Sequence, residues 1–500
     1  MEHINKIGVN AVNDRVRSGA VNAKASTGLF IDKLHENTHK TTTENGAVTL
    51  SDSGSALLNF YAQAGAMRKN PDKALELFKK AFGEDRQSAI RILFYLRDVR
   101  GGQGERDLFR KCLEWIGVNH VEVFEQIIQH VSEYGRWDDL FFDNEEAIEH
   151  IALQLEQDTD SETPSLLAKW MPTINASSKV TRAKARWFAE ALGMSDIQYR
   201  HTIRNIRKVI KTVEEKMSAK QWEDVDYSSV PSQASRIYRN AFRKHDEARY
   251  DAFIGKAEKG EVKINASTLY PYQIYESVQR DYSKTLEALW NQLPDYTMGK
   301  NALVVADVSG SMFGFVIRSG TPMSVSVSLA LYFAERNQGY FEDTFISFSG
   351  NPTLQKVRGA TLQERMHNLG QTEWDRNTDL QAVFDLVLDT AVDNNIDESE
   401  MPETIYIISD MEFDSACDSH TNMEVIKAKY LEAGFKCPNL VFWNVDARSG
   451  ENLPARHNEQ GVALVSGLSP VVFKMAVENK SSIEVMEDTI NSERYARIII

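Results

Sequence analysis

Asp307, Ser309 and Ser311 stand at alternate positions in the stretch NALVVADVSGSM, and a carboxylate with two hydroxyls at that spacing offers oxygen ligands to a hard cation. Two more oxygens occur at comparable places downstream: Thr378 in DRNTDLQAVFDLVL and Asp410 in TIYIISDMEFD. An all-oxygen set suits a divalent ion such as Mg²⁺, which prefers octahedral coordination and keeps some of its waters. If the three hydroxyls bind directly and the carboxylates act through water, the ion retains a position that an acidic group of a protein partner can fill. Asp-x-Ser-x-Ser alone is a weak motif, and its weight comes from Thr378 and Asp410 falling at matching topological points.

Those points are set by the surrounding elements. Residues 302–306 are apolar without alternation, as in a strand covered on both faces of a parallel sheet, and ligand sites in such sheets lie beyond the carboxyl ends of the strands. Apolar runs at 301–308, 343–349, 404–409, 440–445 and 462–466 read as strands. Stretches at 323–337, 380–393, 421–433 and 470–478 read as helices. The expectation is α + α/β: an α-helical repeat (HEAT-like) region over 49–293, then a doubly wound α/β domain over 294–500 with a C-terminal tail. The tail, IEVMEDTINSERYARIII, reads as a helix followed by apolar residues that must dock on something. Residues 1–48 are polar and weakly periodic, as in a flexible arm.

Within the helical region, residues 72–82, 86–99, 105–116 and 121–133 each carry apolar residues at three- and four-residue spacing. The loop RDVRGGQGER, 97–106, is either a phosphate cradle at a helix start or a glycine-terminated helix end with a turn. YGRWDDL, 134–140, reads as an interhelical joint anchored by Trp137.

The chain has 500 residues, 42% hydrophobic and 26% charged, as in a globular protein of several cores. No apolar run approaches the roughly 18 residues of a membrane span, the start lacks a signal-peptide core, and a cytoplasmic place without membrane partners is expected. Cys112, Cys417 and Cys437 are too far apart for a zinc spacing and read as reduced thiols. The net charge is −15, but unevenly spread: between Lys179 and Arg249 there are 16 Lys and Arg against 9 Asp and Glu. Arg200, Arg204, Arg207, Lys208 and Lys211 fall on one helix face opposite Ile203, Ile206, Ile210 and Val213. Arg236, Arg239 and Arg243 form a second basic face beside Tyr238 and Phe242, and Lys179, Arg182 and Arg186 a third before Trp187. Three such faces are what a phosphate backbone needs; the alternative is ordinary solvated helix surface.

The segments DVSGSM, NTD and ISD resemble the metal-ion-dependent adhesion site of von Willebrand factor A domains over roughly 301–478. A helical repeat region ahead of such a domain is similar to the TROVE architecture of Ro-type ribonucleoproteins. WDRNTDLQAVFDLVL, ISDMEFDSA, VFWNVDAR and VALVSGLSP, with RDVRGGQGER and YGRWDDL upstream, resemble more closely still a Ro-related uncharacterised family of plants, fungi, bacteria and phages. The resemblance implies a helical ring or horseshoe closed by the A domain, binding small structured RNA or single-stranded RNA ends, with the metal residues at Asp307, Ser309, Ser311, Thr378 and Asp410.

The expected function is a noncatalytic RNA-binding scaffold with a Mg²⁺-dependent docking site for an acidic protein partner. The alternative is an interaction or assembly adaptor that uses the metal site, with an ATPase or in phage or cell assembly, and binds no RNA. No base or nucleophile stands near Asp307 or Asp410 in sequence, His367 and His420 being the nearest histidines, and no GxxxxGK[ST] loop is present. An enzyme is therefore not expected.

Overall fold

The computed structural model describes residues 40–314, 320–348, 352–370, 379–413, 422–447 and 452–500. Thr378, Cys417 and His420 lie outside these, as does the expected arm up to residue 39.

The last residues of that arm are structured. Strands β1 (Lys40–Thr42) and β2 (Val48–Leu50) pair antiparallel in register Thr42↔Val48. Their turn closes through Thr43 N–H to the Ala47 carbonyl (2.9 Å), with Gly46 at φ 88°, a left-handed conformation that glycine adopts without strain.

A run of helices follows: α1 (Ala56–Gln63), α2 (Pro71–Glu84), α3 (Arg86–Arg97), α4 (Asp107–Asn119), α5 (Val121–Tyr134), α6 (Glu145–Thr159) and α7 (Leu167–Trp170). The series continues with α8 (Lys179–Ala191), α9 (Asp196–Ile210), α10 (Val213–Ser218), α11 (Ser232–His245), α12 (Glu247–Glu258), α13 (Pro271–Arg280) and α14 (Lys284–Asn291). α2 shows why they form. The Asn70 side chain caps Lys73 N–H, Pro71 takes the first turn, and Ala74, Leu77, Phe78, Ala81 and Phe82 bury one stripe. The joint at 134–140 is built on Asp139, which is almost wholly buried and accepts from Arg97 (2.7 Å), Arg110 (2.7 Å) and the Arg136 N–H (2.9 Å). Trp137 is buried beside it.

The rest of the chain supplies β3 (Ala302–Asp307), α15 (Pro322–Ala334), β4 (Thr344–Phe348), β5 (Thr353–Lys356), α16 (Leu362–Gly370), α17 (Leu380–Asp393) and β6 (Thr404–Ser409). It ends with α18 (Asn422–Glu432), β7 (Asn439–Asn444), β8 (Val462–Ser466), α19 (Ser482–Ile490) and α20 (Glu493–Ala496). The six strands form a sheet in the order β5-β4-β3-β6-β7-β8, parallel except for β5 at one edge. The architecture is thus α with α/β, and the sheet is mixed. β3, β7 and β8 are buried along their whole length, as apolar runs without alternation require. Every residue of α15 is buried because it packs between the sheet and α13, which suits a helix that is mostly apolar and whose serines find partners, as Ser326 Oγ does on the Ile408 carbonyl.

Two sequence expectations need correction. The segment 470–478 is not an α-helix but a 3₁₀ turn, Pro470–Lys474: its apolar residues are consecutive, and Phe473 is held among Tyr332, Phe333, Tyr406 and Trp443 rather than on a helical stripe. β5 and α16 were not expected; β5 exposes three of its four residues and carries little apolar signal.

The helical and α/β portions share one continuous core. The 97–106 loop is a joint between them. Asp98, with no exposed surface, accepts two hydrogen bonds from Arg494 and one from Tyr495 OH (2.9 Å) of the C-terminal segment. Gln103, equally buried, accepts from Ser469 N–H (3.1 Å) and donates to Tyr95 OH (2.6 Å). A Cβ on Gly102 would stand 1.8 Å from the Tyr95 carbonyl oxygen, so the close backbone approach admits only glycine. The turn reading, not the phosphate cradle, describes this loop. The C-terminal tail docks on α3, where Arg91 donates to the carbonyls of Ala496 (2.9 Å) and Ile498 (3.2 Å). Removing one partner of a buried ion pair leaves an uncompensated charge. Arg494→Ala is therefore expected to destabilise the whole chain by about 3 kcal/mol, the low end of the range for buried pairs because Arg494 is partly exposed. The check is one cooperative denaturant transition shifted to lower midpoint.

Candidate functional site

β3 lies between β4 and β6, so the chain leaves β3 towards one side of the sheet and later returns on the other. This reversal puts a topological switch point at the carboxyl ends of β3 and β6, the usual ligand crevice of such sheets. Asp307 is the last residue of β3, and Asp410 directly follows β6. Register pairs Ala306 with Ile408, which brings Asp307 level with Ser409, and Ser409 Oγ donates to Asp307 Oδ2 at 2.6 Å. The other carboxylate oxygen accepts the Ser309 N–H at 2.9 Å. Asp307 has no exposed surface and Asp410 2%. Ser309 is likewise buried, whereas Ser311 is half-exposed, so the group opens to solvent on the Ser311 side.

The hydroxyls of Ser309 and Ser311 stand 2.8 Å apart. Ligands at neighbouring corners of an octahedron around Mg²⁺, each roughly 2.0–2.1 Å from the ion, are separated by about 2.9 Å. The separation is that of a hydrogen bond between the two hydroxyls, and it is also the spacing that two cis positions of a Mg²⁺ shell would have. Thr378, the fifth residue of the set, lies outside the described residues. α17 begins just after it, with Asp379 capping the Ala382 N–H at 3.1 Å. Among the described residues no three of His, Cys, Asp and Glu gather as a metal group.

The loop that carries Asp410 is held by residues the sequence reading passed over. Met411 has φ +66°, uncommon for a residue with a Cβ, and its N–H is fixed by Ser409 Oγ at 3.0 Å. Glu412 is 2% exposed, and its carboxylate accepts from Glu44 N–H (2.7 Å) and Asn452 Nδ2 (2.8 Å). The hairpin turn thus reaches the loop that carries Asp410 from the far end of the chain. The Asn45-Gly46 pair between Thr and Val residues was the signal that would have revealed a hairpin there.

The basic candidates separate into two groups. Arg207 is half-buried and spends its guanidinium on Ala168 O (2.8 Å), Met171 O (2.6 Å) and Thr173 Oγ1 (2.9 Å); burial lowers its pKa from the ordinary arginine value. Arg182 binds the carbonyls of Ala176 (2.5 Å) and Ser177 (2.8 Å). Arg236 reaches Ser277 and Gln233, and Arg239 the Arg236 and Asp281 carbonyls. Arg186 and Arg243 face Asp196 and Asp251, each at 3.4 Å. Arg200, Arg204, Lys208 and Lys211, with Lys179 on α8, are exposed, and no hydrogen bond or ion pair to a described residue engages their side chains. α9 is set by a Ser195–Gln198 capping box and by Tyr199, Ile203 and Ile206 buried beneath it, and it ends at Lys211 with φ 50°. Residues 200, 204 and 208 recur every four positions and so make one solvent-facing row.

No helix among the described residues is long and apolar enough to cross a membrane. Over 485 residues the chain is 27% identical to an uncharacterized protein of Acanthamoeba polyphaga mimivirus, covering 86% of this chain and 83% of that one. Among solved structures it is similar to the Ro (RSR) protein of Deinococcus radiodurans, at 11% identity and a TM-score of 0.33, over 88% of this chain and 100% of the other. Residues 301–497 match a domain of unknown function, DUF7788. Residues 43–141 and 138–300 match a second, DUF2828. These last two stretches span more than half of the chain, which therefore belongs to the DUF2828 family.

Proposed function

We propose that this protein is a noncatalytic RNA-binding scaffold whose α/β portion holds a divalent cation for docking an acidic protein partner. The observation that carries the RNA reading is the row Arg200, Arg204, Lys208 and Lys211, exposed on a well-capped helix, with side chains engaged by no described residue. Cations with protein partners have already exchanged water for carbonyls and carboxylates; these four have not, and they can neutralise phosphates. Small or single-stranded RNA is the substrate class, bound through the backbone and by shape. The polarised charge of the chain supports the same reading.

The test is a mobility shift of single-stranded RNA at several salt concentrations. Arg200, Arg204 and Lys208 changed together to Glu are expected to weaken binding strongly, and to make the slope of log K against log salt shallower by about 2, three phosphate contacts being lost at roughly 0.7 each. Arg207 stays unchanged in this variant because it braces the chain at 168–173. RNA binding as tight as the parent's overturns the reading.

For the cation site, Asp307 and Asp410 would supply charge, Ser309 and Ser311 hydroxyl oxygens, with Ser311 the one nearest solvent, and Thr378 the fifth oxygen. The bound cation would supply a Lewis-acid position for a partner carboxylate, and Asp307 holds Ser309 and Ser409 in place. Calorimetry is expected to give one Mg²⁺ per chain, and Asp307→Ala to abolish it. A parent that takes up no Mg²⁺ or Mn²⁺ refutes this part.

A further inference from the structure

The N-terminal hairpin sits on the loop that carries Asp410, and its contacts are more specific than packing requires. Each one uses a polar atom of the turn against the two residues that follow Met411. Thr43 Oγ1 donates to the Phe413 carbonyl at 2.6 Å, and Asn45 Nδ2 to the Glu412 carbonyl at 2.7 Å. Glu44 N–H donates to the buried Glu412 carboxylate at 2.7 Å. The foot of the hairpin is fixed separately: Leu50 and Leu453 exchange backbone hydrogen bonds of 3.0 and 2.9 Å, and Thr49 Oγ1 donates to the Leu453 carbonyl at 2.9 Å. The turn is thus a braced finger, pressed on a loop whose own backbone is strained at Met411.

From that loop a continuous path leads to the candidate ligands. Glu412 N–H donates to Asp410 Oδ1 at 3.3 Å, Met411 N–H to Ser409 Oγ at 3.0 Å, and Ser409 Oγ to Asp307 Oδ2 at 2.6 Å. A residue in a sparsely populated backbone region persists only where its surroundings over-determine it. Here the hairpin supplies that determination on one side and Ser409 on the other.

We infer that the hairpin turn Thr43–Ala47 is a positioning element of the cation site, with Thr43, Asn45 and Glu412 holding the strained Asp410 loop in its binding geometry and cation binding in turn tightening the hairpin. The inference rests on the cation reading above. It makes the segment that precedes the helical region a regulator of the α/β site: whatever lifts the hairpin lowers cation affinity, and with it the affinity for an acidic partner. Linkage makes the coupling reciprocal. Outer-shell partners of this kind change metal affinity by roughly 10- to 100-fold when removed.

The experiment uses the full chain and Mn²⁺ as probe, followed by electron paramagnetic resonance. Three proteins are compared: the parent, Asp307→Ala, and the double variant Thr43→Val with Asn45→Ala, which leaves the strands and Gly46 intact. The parent is expected to bind, Asp307→Ala not to bind, and the turn variant to bind about tenfold or more weakly. Hydrogen exchange of the parent gives a second readout that needs no mutation: saturating Mg²⁺ is expected to slow exchange across 43–50. No binding by the parent, or binding by Asp307→Ala, sinks the cation reading and the inference with it. Parent-like affinity in the turn variant, or exchange at 43–50 indifferent to Mg²⁺ in a parent that binds, sinks the inference alone.

Discussion

A carboxylate buried at the end of a central parallel strand has to be met by donors, because an unpaired charge there would cost more than the strand gains by being buried. Asp307 is in that position, and its neighbours are arranged to meet it. Ser309 N–H turns back on one oxygen and Ser409 Oγ reaches across from β6 to the other. The first of these fixes the turn that brings Ser309 and Ser311 within 2.8 Å. The second ties the β3 and β6 loops together and orients Met411. One buried charge thus organises both sides of the switch point, and the cation proposed above would complete an arrangement that the backbone already holds.

The same logic operates at two joints, one between the helical and α/β portions and one within the helical portion. Asp98 and Asp139 are carboxylates with essentially no exposure, and each is surrounded by arginine and tyrosine or backbone donors drawn from distant elements. Neither adds much net stability over an apolar contact of the same volume. Such groups tolerate few alternative partners, so they fix which helix end meets which loop. A loop rich in arginine and glycine therefore proves to be a fastening for the C-terminal segment.

The α/β pattern was readable because its strands are apolar runs ending in polar punctuation: β6 at 404–409 and β8 at 462–466 fall where the sequence placed them, as does α17 at 380–393. Strand β5 was not readable, since Thr353, Leu354 and Lys356 face solvent and only Gln355 turns inward. Of the candidate site, Asp307 and Asp410 could be found because each stands at the end of an apolar strand, and Ser309 and Ser311 because they alternate with Asp307 just after it. Glu412, Thr43 and Asn45 could not be linked to it, since their relation to the site arises from a contact across more than 360 residues of chain. The basic helices show the opposite limit. Spacing put Arg204 and Arg207 on one face, but whether a guanidinium remains available depends on which carbonyls the fold sets beside it, and 168–173 comprise the short helix α7 and the loop after it, which periodicity does not describe.

That distinction also bears on how a chain of net charge −15 can hold a polyanion. The field felt by a bound phosphate is local: at physiological ionic strength the Debye length is about 8 Å, so exposed charges farther away are largely screened. Acidic residues from 301 onward therefore weigh little at α9 unless they lie within that distance. What counts is the balance within one helix face, and there Arg200, Arg204, Lys208 and Lys211 present cations that no described side chain pairs with. Overall acidity then acts at long range by slowing the approach of nucleic acid and disfavouring loose attachment elsewhere on the surface. If the proposed scaffold binds RNA, binding would be confined to stripes where the local charge is reversed, as on α9, and a negative chain would then be a more selective scaffold than a uniformly basic one.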